Sequence, residues 1–142
     1  MRLFTLTLFI FCSNIALANP NLVGQWKFLR LTCLLNNDVY PAAKKSTLTF
    51  NSKGFARNEH DDSLAFSYSI HPYKIIEDQI HFTYGRGQTY WYHDGSTTDF
   101  DTPEGTAQFK FNSPDSLSLT AKQSYEQDCP VVRFDYERNK DF

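Results

Sequence analysis

The stretch NPNLVGQWKFLRLTC, residues 19–33, decides the fold of this chain. Its Gly24 stands two residues ahead of Trp26, in a segment whose alternate positions would share one face of a β-strand. That face carries Trp26 and Phe28, and further along the strand it carries Arg30. The pattern predicts a strand that opens on a large aromatic side chain and turns a cation toward the same side.

A period of two continues along most of the chain after this strand. Apolar and polar residues alternate in LAFSYSI, QIHFTY and TAQFKF, and polar turns such as NSKG and NSPDS separate the segments. This predicts eight or nine short antiparallel strands and no helix. We interpret GRG, residues 85–87, as a hairpin turn. We expect a mobile loop at residues 93–105, HDGSTTDFDTPEG.

A sheet of that many strands splits into a sandwich or closes into a barrel, and the chain ends favour a barrel. In an up-and-down barrel with an even number of strands, the first and last strands are antiparallel neighbours, so opposed residues share one sum of residue numbers. Cys33 with Cys129 and Trp26 with Tyr136 have the same sum, and Arg138 then lies one diagonal step from Trp26. We expect an all-β, antiparallel up-and-down barrel of about eight strands, with Trp26 facing inward and both cysteines outward. A bulge would change this register.

Several short motifs resemble the lipocalins and their calycin superfamily. LVGQWKF resembles the Gly-x-Trp signature that opens the first lipocalin strand, and LTFNSKG and DSLSLTAKQS…CPVVRFDYER are similar to small bacterial exported lipocalin-like domains. The resemblance covers most of residues 22–138. It implies that Trp26 plugs the barrel floor beneath Arg138, and that Gly24 lets the chain cross that floor closely. Tyr136 completes the predicted closure.

Residues 1–18 predict a secretory signal peptide, which leaves residues 19–142 as one barrel domain. A basic residue precedes a mostly apolar run, and the ending Ala-Leu-Ala is typical of a signal-peptidase site. The run is too short to span a bilayer, and the large residues before Cys12 disfavour the alternative of lipid attachment. The remaining alternative is a buried N-terminal strand or a membrane anchor. We expect cleavage near Ala18 and a periplasmic or secreted protein.

Cysteine usage agrees with export. Removal of the signal peptide would leave Cys33 and Cys129, which can pair in an oxidising compartment. The alternative is that both are unrelated buried thiols. The shared sum of residue numbers favours one disulfide.

Composition and motifs argue against several classes of function. The net charge is −2 and becomes one unit more negative without Arg2, which disfavours nucleic acid and anionic lipid as partners. The mature sequence has no membrane-spanning stretch, and it has no catalytic or phosphate-binding motif, so we expect no enzyme and no cofactor. EHDD, residues 59–62, and HDG, residues 93–95, offer oxygen and imidazole ligands, but such clusters usually solvate turns, so no metal is expected.

Aromatic residues carry the main functional signal. The chain has 13 Phe, 8 Tyr and 2 Trp, and most of those in strands fall on the predicted inward face. These rings either fill an eight-stranded barrel or line a pocket for one small ligand. The candidate ligand-binding residues are Arg30, Phe28, Tyr68, Phe82, Tyr84, Phe109 and Phe134.

The leading hypothesis is an exported, non-enzymatic protein that holds a small apolar or amphipathic ligand inside the barrel. Arg30 would meet an anionic head group of that ligand. The alternative is a protein-interaction or inhibitor module that acts through its loops, notably residues 93–105, with a filled barrel.

Overall fold

A computed structural model of the chain describes residues 19, 21–42, 45–123 and 128–141. The predicted signal peptide, residues 1–18, lies outside the described residues. The described residues form eleven β-strands: β1 (Gly24–Cys33), β2 (Val39–Pro41), β3 (Lys45–Phe50), β4 (Phe55–Asp61), β5 (Ala65–Ile76), β6 (Gln79–Phe82), β7 (Gly85–Trp91), β8 (Thr97–Thr102), β9 (Gly105–Ser113), β10 (Ser116–Lys122) and β11 (Val131–Arg138).

Eight of these strands close a barrel, in the ring order β1, β3, β4, β5, β6, β9, β10, β11. Every pairing in the ring is antiparallel, including the pairing of β1 with β11 that joins the two ends of the domain. Cys33 and Cys129 form a disulfide, with their Cα atoms 5.7 Å apart. The predicted all-β barrel and its one disulfide are therefore confirmed.

The register predicted for β1 and β11 is wrong. The structure sets Trp26 opposite Arg138 and Phe28 opposite Tyr136, and the register then shifts between Phe28 and Arg30. This bulge inserts one residue and exchanges the two faces of the rest of β1. Cys33 consequently faces Val132 of β11 on the inward side, where it is 1 % exposed.

The floor of the barrel is built around Trp26, which is fully buried. Its indole Nε1 donates to the Leu22 carbonyl oxygen at 2.9 Å, and the Arg138 guanidinium carbon lies 4.3 Å from the indole centroid. Gly24 has φ +135°, and a Cβ there would lie 2.8 Å from Arg138 Nη1. The backbone conformation at this position therefore favours glycine, and any larger residue would also displace the end of the Arg138 side chain.

Strands β7 and β8 form a hairpin, here called the flap, that lies outside the ring. β7 pairs with the first half of β5, whereas β8 pairs with β7 alone among the described strands. Two sequence interpretations are therefore wrong: GRG belongs to strand β7, and much of the loop expected at residues 93–105 is strand β8. Two glycines in β7 and two aspartates in β8 are residue types depleted in strands. The glycines hid the start of β7, whose later part QTYW alternates as a strand does, and the aspartates hid β8.

Gly87→Ala is expected to destabilise the flap by about 1–3 kcal/mol, as overpacking does. A Cβ at Gly87 would overlap the Phe100 ring and the Tyr68 carbonyl oxygen, and the carbonyl belongs to the backbone and cannot move away. Amide hydrogen exchange should show faster opening in β7 and β8 than in the parent. The control is Gly105→Ala, because a Cβ there meets nothing within 4 Å. Equal effects of the two changes would contradict the packing of Phe100 on Gly87.

Candidate functional site

The interior face of β5 differs from the predicted one. Tyr73 and Ile75 pack into the core, and because β5 is one continuous strand, Ser69 and His71 share their face. Tyr68 and its alternate neighbours therefore point outward, where the Arg57 guanidinium lies 4.6 Å from the Tyr68 ring centroid. His71 would lie outside if the face through Tyr68 were the inward one, but it lines the interior.

The barrel interior is divided into a filled floor and an open upper part. Beside Trp26, buried apolar side chains including Leu22, Phe50, Ile80 and Leu117 fill the floor. Above them a cavity of about 280 Å³ remains, next to the connection between β8 and β9. Its apolar wall is formed by Leu48, Ala56, Phe82, Pro103, Gly105, Ala107, Leu119, Ala121 and Phe134, and its polar wall by Asn58, His71, Thr106, Lys122 and Tyr136.

The polar groups of the cavity differ in their hydrogen-bond and ion-pair partners. His71 lies with its Nε2 3.2 Å from Ser69 Oγ and 3.1 Å from Thr102 Oγ1, so it links β5 to the flap. Tyr136 has no hydrogen-bond partner for its hydroxyl among the described residues, and burial raises the pKa of this phenol. Lys122 is exposed at the end of β10 and has no ion-pair partner among the described residues. Within the described residues, the Tyr136 phenol inside the cavity and the Lys122 ammonium at its mouth therefore remain available to a ligand.

The structure brings together only part of the predicted ligand-binding set. Phe82 and Phe134 line the cavity. Phe28 faces inward but packs on the Phe134 and Tyr136 rings, at centroid distances of 6.2 and 5.6 Å. Phe109 packs against the core beside Phe111, with ring centroids 5.9 Å apart.

The other three predicted ligand residues lie outside the cavity. Arg30 is on the outer wall, because the bulge in β1 reverses its side, and its Nε donates to Asp135 Oδ2 at 2.9 Å. Tyr68 points outward with the rest of its face of β5. Tyr84 follows the end of β6 and is 50 % exposed, and a hydrogen bond to Asp101 raises the pKa of its phenol.

Pattern analysis missed four polar residues of the cavity: Asn58, His71, Thr106 and Lys122. His71 was missed because the alternation predicted for β5 placed the face with Tyr68 inside the barrel and the face with His71 outside. Asn58 lies on the inward face of β4, a strand without the apolar alternation that would reveal that face. Lys122 comes one residue after the inward Ala121, so alternation alone would place it outside.

The cluster of acidic and histidine residues at positions 59–62 stabilises the turn between β4 and β5. His60 Nδ1 lies 2.7 Å from Ser46 Oγ on the neighbouring strand, and His60 Nε2 lies 3.6 Å from Asp62 Oδ2. Asp62 also accepts hydrogen bonds from the backbone amides of Leu64 and Ala65, at 2.6 and 3.1 Å, which shapes the turn between β4 and β5. In the part of the chain that the structure describes, no three His, Cys, Asp or Glu side chains converge on a metal position.

These features define a closed eight-stranded antiparallel barrel with a plugged floor, an apolar cavity and a lateral two-stranded flap. Across the described ranges we find no helix with the length and apolar character to traverse a bilayer. Comparison of the chain with protein-family models, with curated proteins and with solved structures gives no match.

Proposed function

We propose that this chain is a non-enzymatic binding protein that holds a small amphipathic ligand in its barrel. The cavity of about 280 Å³ carries the proposal, because it combines a continuous apolar wall with a few polar groups, as ligand pockets do. Its volume lies just below the range of about 300–1,000 Å³ that accommodates drug-sized molecules. A short-chain or medium-chain amphiphile is therefore the expected class of ligand.

The proposal includes membership of the lipocalin-like barrels and export from the cytoplasm. The closed ring and the floor built from Gly24, Trp26 and Arg138 support the first part. The disulfide between Cys33 and Cys129 supports the second, because disulfides persist in oxidising compartments such as the periplasm or the cell exterior.

The polar groups suggest how such a ligand would be oriented. Lys122 at the mouth would meet an anionic head group, the role that sequence analysis gave to Arg30. The apolar chain of the ligand would extend toward Phe82 and Phe134. Tyr136, whose phenol has no partner among the described residues, would donate a hydrogen bond inside the cavity.

Octanoate is expected to bind the parent protein and to lose about tenfold in affinity in Lys122→Gln, the scale of a hydrogen bond to a charged group. Octanol, which lacks the carboxylate, should bind the parent and the variant equally. Isothermal titration calorimetry of both probes provides the measurement. Lys74→Gln is the matched control, because Lys74 is an exposed lysine on the outward face of β5 and the change removes the same charge.

Gly105→Leu separates cavity binding from binding elsewhere. Gly105 pairs with Phe82 in the ring, and its missing side chain would enter open space. Leucine at this position should fill the cavity and abolish binding of both probes without lowering the denaturation midpoint. If neither probe binds the parent, or if Gly105→Leu binds both as well as the parent does, the cavity is not a ligand site.

A second candidate function is supported by the free edge of β8. The backbone groups on one side of this strand have no partner strand among the described residues, and such an edge can accept a strand from another protein. In this second candidate function, residues 93–105 are again the interaction segment, because they contain the free edge of β8. Binding of a partner that Gly105→Leu leaves intact would favour it over the cavity.

A further inference from the structure

The outer wall of the barrel carries a second polar site, centred on Asp135 of β11. Asp135 is 8 % exposed. Its Oδ2 accepts a hydrogen bond from Arg30 Nε at 2.9 Å, and its Oδ1 accepts one from Ser118 Oγ at 2.7 Å. Arg133 Nε lies 3.1 Å from the same Oδ1. One buried carboxylate therefore forms ion pairs with two guanidinium groups, and one of the two is also hydrogen-bonded to it.

Asp135 remains charged in this setting. Burial acts to raise the pKa of Asp135, but the hydrogen bonds from Arg30 and Ser118 and the charge of Arg133 outweigh burial and hold the pKa below its ordinary value. Asn112 Nδ2 donates to Ser118 Oγ at 2.7 Å, which fixes the hydroxyl that serves the carboxylate. Hydrogen bonds thus connect Asn112, Ser118, Asp135 and Arg30 along the wall.

Positive charge exceeds negative charge around this network. Arg30 and Arg133 share one carboxylate, and their terminal amino groups have no hydrogen-bond partner among the described residues. Lys110 projects from β9 beside them and is likewise unpaired within the described part of the chain. The other nearby acid, Asp78, accepts a hydrogen bond from Gln108 Nε2. This excess of positive charge is local, because the whole chain has a net charge of −2.

Unused hydrogen-bond donors lie at the same place. Within the described residues, Thr32 Oγ1 and Arg133 Nε are shielded from solvent and have no hydrogen-bond partner, and these residues are opposed in the pairing of β1 with β11. Arg133 Nε is close to Asp135, but its N–H is not directed at the carboxylate oxygen. Buried polar groups normally find a partner, and an orphaned one often marks an unseen water or ion. Arg133 lines a surface hollow of about 760 Å³ together with Arg30 and Lys110.

We propose that this hollow binds a tetrahedral oxyanion, phosphate or sulfate, either free or as a substituent of a larger ligand. Asp135 accepts a hydrogen bond from Arg30 Nε and lies 3.1 Å from Arg133 Nε, so within the described residues the terminal amino groups of both arginines stay available. Guanidinium binds oxyanions through paired N–H groups, and a group with four oxygens can serve two arginines at once. A carboxylate has only two oxygens and should bind more weakly. The site is separate from the cavity, since Arg30 and Arg133 lie on the opposite side of the wall.

The test is calorimetric titration of the parent with inorganic phosphate, sulfate and acetate at low ionic strength. Phosphate and sulfate should bind saturably and more tightly than acetate. Arg30→Gln and Arg133→Gln should each lower the affinity for phosphate by about tenfold, the loss expected for a charge-assisted hydrogen bond. Lys27→Gln is the matched control, because Lys27 also lies on the outer face of β1 but pairs with Glu137 at 3.2 Å.

Lys110→Gln keeps the test decisive if an arginine variant unfolds. The Lys110 side chain makes no hydrogen bond or ion pair with the described residues, so this variant should fold, and it should still weaken phosphate binding several-fold. Absence of saturable binding to the parent would overturn the proposal. Equal losses in Lys27→Gln and the arginine variants would also overturn it, since they would show diffuse attraction. Cosedimentation with phosphatidate-containing vesicles but not with phosphatidylcholine vesicles, weakened in Arg30→Gln, would assign a lipid phosphate. Phosphate binding without cosedimentation would assign a free ion.

Discussion

Trp26→Ala is expected to lower the free energy of unfolding by about 3–5 kcal/mol, the usual loss for a large buried aromatic side chain. The indole is fully buried and lies beside the Phe111 ring, at a centroid distance of 5.9 Å. Its removal also leaves the Leu22 carbonyl oxygen without its hydrogen bond and the Arg138 guanidinium without its aromatic partner. Urea denaturation followed by circular dichroism provides the measurement.

Trp91→Ala is the matched control for this prediction. Trp91 is the other tryptophan of the chain, and it lies partly buried in the flap, where its Nε1 donates to Thr98 Oγ1 at 3.1 Å. Its loss should cost less, because no part of the floor rests on it. Two results would contradict the role of Trp26 as the plug of the barrel. One is a Trp26→Ala variant that unfolds at the same denaturant concentration as the parent, and the other is a Trp26→Ala variant that is as stable as Trp91→Ala.

The sequence was sufficient to predict the closed antiparallel barrel, although not the register of the two strands that close it. Strict alternation in β10 and β11 identifies their inward faces, and Gly24 before Trp26 marks the entry to the first strand. These signals are local, so short windows of sequence contain them. The pairing of Cys33 with Cys129 was also predicted correctly, although the register used to argue for it was wrong.

The cavity lining was predicted less well, because single local irregularities change the direction of many side chains. One extra residue in β1 moves Arg30 from the inside to the outside of the barrel. A bulge has no fixed sequence signature, so alternation cannot reveal it. In β5 the exposed apolar series through Tyr68 mimics a core face, and only the continuity of the strand into Tyr73 corrects it.

Loss of the disulfide is the second large effect to be expected, at about 4–5 kcal/mol. Cys33 and Cys129 are separated by 96 positions, so the bond closes a loop containing most of the domain. Such a crosslink stabilises mainly by restricting the unfolded chain, and this effect grows with loop length. A variant with both cysteines changed to alanine should therefore unfold at a much lower denaturant concentration than the oxidised parent.

Comparison of three samples separates the crosslink from the packing of the two side chains. The reduced parent keeps both sulfur atoms and loses only the bond, whereas the double alanine variant also empties the space around Cys33, which is 1 % exposed. Most of the loss should therefore already be present in the reduced parent. Because β1 and β11 pair along seven residue positions without help from the bond, the reduced barrel should keep its strand pairing and its native circular dichroism spectrum. If reduction leaves the denaturation midpoint unchanged, the unfolded chain is already restrained, and the entropic account of the bond is wrong.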